Sequence, residues 1–142
     1  MKRAFLLPAF LLMTGFQPAR ATEAPAGPSV VKLTTCHHIE SRKPGDVADH
    51  FSQDGGDVFG HVVLANPGDA TQVRMVWKQS GVERWTIALK VGERAKGWHT
   101  WSHKHLGKKD AGEWTVEVQT LDGTPLQTAA FTVDPATPTA SR

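Results

Sequence analysis

Between Val30 and Val133 apolar and polar side chains alternate with a period of two. Val73, Met75 and Trp77 take turns with Arg74, Val76 and Lys78; Trp85, Ile87, Leu89 and Val91 with Arg84, Thr86, Ala88 and Lys90; Trp114, Val116 and Val118 with Thr115, Glu117 and Gln119. Successive side chains of an extended chain point to opposite faces, so each run predicts a strand with one face buried. Val58 to Ala65 (VFGHVVLA) is apolar on both faces apart from His61, which predicts a central strand covered on both sides. Val30 to Ile39, the stretch around Trp98 to Ser102, and Gln127 to Val133 complete a set of about seven strands. Only Val47 to Phe51 hints at a helical turn.

The breaks carry turn chemistry: DGGD at Asp54 to Asp57, NPGD at Asn66 to Asp69, QSG at Gln79 to Gly81, KKDAG at Lys108 to Gly112, and Asp122-Gly123. Glycine supplies positive φ and proline fixes its own, so the chain reverses there without strain. Asp122-Gly123, between two alternating runs, is the strongest hairpin signal. Short strands with turns every eight to twelve residues or so predict an all-β, antiparallel sandwich of immunoglobulin-like type, with an eight-stranded barrel as the rival.

The N-terminus changes the picture of charge and compartment. Met1, Lys2 and Arg3 precede an apolar run from Ala4 to Met13, and Ala19-Arg20-Ala21 is a small-x-small cleavage site, so residues 1–21 read as a signal peptide. The run is shorter than the roughly 20 residues that span a bilayer, and no second run follows; the expectation is a protein that is periplasmic or secreted and does not span a membrane. Sixteen basic residues face 14 acidic ones in the full chain. Lys2, Arg3 and Arg20 leave with the signal, which leaves 13 against 14 and removes the argument for nucleic acid. Residues 22–29 and 134–142, rich in Pro, Ala, Ser and Thr, read as flexible tails around one domain at 30–133. A single cysteine, Cys36, allows no internal disulfide, so packing must hold the fold.

Candidate chemistry concentrates in GWHTWSHKHL, Gly97 to Leu106. On a strand His99, Trp101, His103 and His105 share one face, and alternate imidazoles can converge on zinc or copper, which makes His99, His103 and His105 a possible metal row. Trp98 falls on the opposite face and reads as core, while Trp101 beside Lys104 could stack on a ligand or a partner. Arg94, Lys96, Lys104, Lys108 and Lys109 form a possible basic group. Cys36 beside His37 and Ser102 beside His103 invite a hydrolase reading, but neighbours on a strand point apart and no Gly-x-Ser-x-Gly elbow is present.

The order of Cys36, IESRKP at Ile39 to Pro44, Trp77, Gly81, GWHTWSHKHL, GEWTVEV at Gly112 to Val118, and LDGTPL with FTV at Leu121 to Val133 resembles a bacterial family known as domain of unknown function 2914. The resemblance runs over nearly the whole folded region. Its most specific elements are Trp98, Trp101, Ser102 and Lys104, then Gly112-x-Trp114-x-Val116, then Arg42-x-Pro44. It implies a small β domain, often exported or membrane-attached, with no established activity. Histidine at 99 and 103 departs from the family's more usual arginine and serine. The expectation is a non-enzymatic binding module of the cell envelope, without cofactor, that recognises a protein or envelope component through the edge carrying His99, Trp101, His103 and Lys104. A periplasmic zinc or copper protein using the His99/His103/His105 row is the alternative.

Overall fold

The computed structural model describes residues 27–136, so the segment read as a signal peptide, residues 22–26 of the first tail and 137–142 of the second lie outside the described residues. Nine strands follow in order: β1 (Ser29–Glu40), β2 (Lys43–Val47), β3 (His50–Ser52), β4 (Asp57–Asn66), β5 (Thr71–Gln79), β6 (Val82–Val91), β7 (Ala95–His105), β8 (Gly112–Thr120) and β9 (Pro125–Asp134). They form two separate sheets, β2-β1-β4-β7 and β3-β9-β8-β5-β6, so the chain is a sandwich and not a closed barrel.

The sheets face each other because the alternating runs place their apolar halves inward. Val58, Val62 and Leu64 of β4 meet Val73, Met75 and Trp77 of β5 and Trp114, Val116 and Val118 of β8, all buried, with Phe131 and Val133 of β9 closing the core. Trp77 meets Phe131 edge-on at 5.9 Å, and Phe131 stacks on Trp114 at 6.0 Å, geometries that aromatic quadrupoles favour. At one end Asn66 fastens the two crossings between sheets. Its buried Nδ2 donates to the carbonyls of Asp69 (2.8 Å) and Gly92 (2.9 Å), and its Oδ1 accepts from Gly68 N–H at 3.2 Å.

Several expectations change. Val47 to Phe51 forms no helical turn: β2 ends at Val47, the chain bends at Asp49, and β3 begins at His50, where Phe51 drops into the core while β3 pairs in parallel with β9. Together with β2 this raises the strand count from about seven to nine. The tight two-residue hairpin lies at Ser80-Gly81 (φ 48° and 81°), where both residues are left-handed as such a turn requires. Asp122-Gly123 does close a hairpin, from β8 to β9, through a four-residue loop, Leu121–Thr124, in which Gly123 alone takes positive φ. Val76 is buried although it lies on the polar half of its run, and Trp85 is 38% exposed although it lies on the apolar half. Trp85 sits on β6, the last strand of its sheet, where the opposing layer no longer covers it.

Candidate functional site

β7 is the edge strand of its sheet, pairing with β4 alone. The register fixes which side chains share a face. Gly60 pairs with Ser102, and a Cβ at Gly60 would touch Met75 and Trp77, so Trp98, Thr100, Ser102 and Lys104 lie on the side that meets the other sheet. His99, Trp101, His103 and His105 therefore lie outward, opposite Val63, His61, Phe59 and Asp57 of β4.

The outward histidines do not form a row with one common ligand. His103 tilts against Phe59 with ring centroids 5.1 Å apart, and His105 Nδ1 sits 2.7 Å from Asp57 Oδ1. His99 Nδ1 lies 3.1 Å from His61 Nε2, and Trp101 stacks on His61 at 6.4 Å. Among the described residues no three His, Cys, Asp or Glu side chains gather in one place.

His61 organises this face. Its ring is only 2% exposed, although it points away from the core. The turn between β1 and β2 reaches over it: the Arg42 carbonyl lies 2.9 Å from His61 Nε2, and Ser41 and Arg42 both take left-handed φ (49° and 63°) to shape that tip. Burial lowers the pKa of His61, the Arg42 carbonyl opposes this, and the charges of His99 and Lys32 add to the lowering. Burial thus disfavours the charged ring on a sheet face that would ordinarily be polar and wet. Its position as the one ionisable residue in VFGHVVLA was a signal in the sequence; its partners, from two other strands, left none.

The remaining residues take separate places. Lys104 is on the inward side, where its Nζ lies 3.3 Å from Asp110 Oδ2 and 5.5 Å from the centre of the Trp114 ring, so it does not share the face of His99, Trp101 and His103. It does meet His103 and His105 at the open side of the sandwich, where all three line a groove of about 430 Å³ with Arg84 and Trp85. Trp98 has the expected inward direction but not the expected depth: it lies over Gly92 at the margin and stays 37% exposed. Arg94 and Lys96 stand at the start of β7 and Lys108 and Lys109 beyond its end, about 33 Å away at ~3.3 Å per residue, so the basic residues make no single patch.

Neither nucleophile is poised. Cys36 is fully buried, with its thiol 3.3 Å from the His38 carbonyl, and burial pushes its pKa up against the backbone groups of Gly45 and His38. A protonated, enclosed thiol is a small hydrophobe. Ser102 Oγ accepts from Trp77 Nε1–H at 3.0 Å and faces Met75 Sδ at 2.9 Å, so it is bound into the core.

Among the described residues no helix is long and apolar enough to cross a membrane. No curated protein matches the chain. A family profile does match, over residues 70–133, a stretch that holds Trp98, Trp101, Ser102, Lys104 and the Gly112–Val116 motif but not Cys36 or Arg42 to Pro44, so the match is shorter than the resemblance read from the sequence. The matching profile is described as protein of unknown function (DUF2914), and residues 70–133 of this chain are similar to it.

Proposed function

We propose that this protein is an exported, non-enzymatic binding module of the cell envelope that holds an extended segment of a partner protein or envelope component along the β7 edge. The observation that carries the reading is how the five tryptophans divide. Trp77 and Trp114 are fully buried, whereas Trp85, Trp98 and Trp101 keep exposed surface, and Trp98 and Trp101 stand on β7 itself. An 11-residue strand with one neighbour leaves a row of backbone donors and acceptors free, and a partner strand could pair with them. Trp101 would grip such a segment from the outer face, with His99 and His103 beside it. Trp85 and Lys104 would meet it from the inner side.

Further support comes from the order of the strands. β1-β4-β7 opposite β9-β8-β5-β6, with a short β3 in parallel with β9, is the arrangement expected of an immunoglobulin-like sandwich, a scaffold whose edges and end loops commonly serve recognition. Export rests on the basic start, apolar run and small-x-small site of residues 1–21. The enclosure of Cys36 and Ser102 favours binding over hydrolysis.

A photo-crosslinking residue at position 103, in the full chain expressed with its leader, tests this. A discrete adduct with one envelope component is expected. Trp101→Ala should reduce the adduct at least about tenfold, the scale of an aromatic hot spot, while circular dichroism shows the fold intact. An adduct of equal yield in that variant, or none in either protein, overturns the proposal.

A further inference from the structure

Three donor atoms from three elements meet on the outer face of the four-stranded sheet. His61 Nε2 on β4 lies 2.9 Å from the Arg42 carbonyl oxygen in the β1–β2 turn and 3.1 Å from His99 Nδ1 on β7. The arrangement is short of protons. If His61 Nε2 carries the hydrogen, one N–H must serve both the carbonyl and the facing imidazole. If His99 Nδ1 carries it instead, the bare Nε2 lone pair confronts a carbonyl oxygen. In either case three electron-pair donors depend on a single hydrogen.

We infer that His61, His99 and the Arg42 carbonyl form a binding site for one divalent ion that prefers imidazole, copper(II) or zinc(II). An ion in place of the shared proton would engage all three donors. Bonds of ~2.0–2.1 Å put neighbouring ligands about 3.3 Å apart around tetrahedral zinc and about 2.8 Å apart around square-planar copper. The two separations from His61 Nε2, 2.9 Å and 3.1 Å, lie between those limits, so small side-chain movements admit the ion. Two imidazoles and no carboxylate select against calcium and magnesium, which require oxygen shells. Lys32, whose charge disfavours a cationic His61, is exposed, and water screens it.

The site differs from the His99/His103/His105 row, since His103 and His105 are engaged by Phe59 and Asp57. It also ties the β1–β2 tip to the sheet through the Arg42 carbonyl, and it stands whether or not β7 binds a partner.

The test is isothermal titration of the full chain, without a histidine tag and freed of metal by chelation, with copper(II) and with zinc(II). One ion per chain is expected. His99→Ala and His61→Gln should each weaken binding by about tenfold or more, at least the loss that follows removal of an outer-shell partner, whereas His103→Ala and His105→Ala should leave it unchanged. Copper(II) spectra should show two coordinated nitrogens in the wild type and one in His99→Ala. If His61→Gln does not fold, His99→Ala decides alone, because its ring is only partly buried. No stoichiometric binding of either ion, binding untouched by His99→Ala, or binding lost with His103→Ala or His105→Ala overturns the inference.

Discussion

The indole Nε1–H of Trp77, in the middle of β5, donates to the Oγ of Ser102 on β7 at 3.0 Å, a side-chain hydrogen bond that crosses the sandwich from one sheet to the other. Both groups are buried. The pairing gives the buried serine that follows Trp101 a partner on the opposite sheet.

Removing that hydroxyl leaves a buried N–H with no acceptor. Ser102→Ala is therefore expected to lower stability by about 1–3 kcal/mol, read from urea unfolding. A loss within ~0.5 kcal/mol, the range of ordinary surface changes, would show that the indole does not need this partner.

Gly60 lies on the same layer. A Cβ there would stand 3.2 Å from both Met75 Sδ and Trp77 Cζ2. Methionine can yield, but the indole is held by Ser102, so Gly60→Ala should cost about 1–3 kcal/mol through overpacking. Gly97→Ala is the control, since nothing lies within 4 Å of its added carbon; it should stay within about 0.5 kcal/mol. Equal midpoints for the two variants would refute the account.

Lys104 anchors the turn that follows β7. Asp110 Oδ2 accepts from Lys104 Nζ at 3.3 Å and from Gly107 N–H at 2.7 Å, with only 9% of the aspartate side chain exposed. Asp110→Ala strands the Gly107 N–H and leaves Lys104 Nζ with only the His105 carbonyl at 3.3 Å, and should cost about 2–4 kcal/mol, whereas Lys104→Met keeps the apolar stem over Trp114 and leaves Asp110 its bond from Gly107, and should cost about 1 kcal/mol or less. Thermal unfolding of the two variants checks the order; Lys104→Met proving the worse of the pair would assign the lysine a larger structural role than its contacts give it.

The sequence made the centre of this fold legible and its margins less so. Val73-Met75-Trp77 and Trp114-Val116-Val118 behave as their period requires because β5 and β8 have neighbours on both sides and a full layer opposite. Trp85 and Trp98 follow the same period but sit where cover ends, and alternation tells direction, not depth. Lys104 shows the reverse case. Its parity with Ser102 already placed it opposite His99, Trp101 and His103, yet grouping by nearness in the chain set it among them. Val47 to Phe51 was ambiguous because five residues hold less than two helical turns or one short strand, and only the groove that receives Phe51 decides. The contact of His61 with His99 and Arg42 joins positions 38 and 19 residues apart, beyond any local pattern.

Cys36 links burial to pH. Its thiol has no exposed surface and points at the carbonyls of His38 and Phe59. Burial raises its pKa, so the folded chain keeps this proton at a pH where the unfolded chain has lost it. A raised folded-state pKa contributes stability that is complete below the unfolded value, about 8.5 for a thiol, and is lost as pH rises through the folded value. Between about pH 8 and pH 10 the wild type should consequently lose more stability than Cys36→Ala does, the alanine removing the titrating group while retaining every other one. The same enclosure sets reactivity, because the thiolate attacks disulfide reagents and forms here only when the β1–β2 hairpin or the whole domain opens. Native protein should react with a chromogenic aromatic disulfide at least about a thousandfold more slowly than urea-unfolded protein at the same pH. Rapid stoichiometric reaction of the native chain, or equal pH slopes for wild type and Cys36→Ala, would place the thiol nearer to water than the hairpin tip allows.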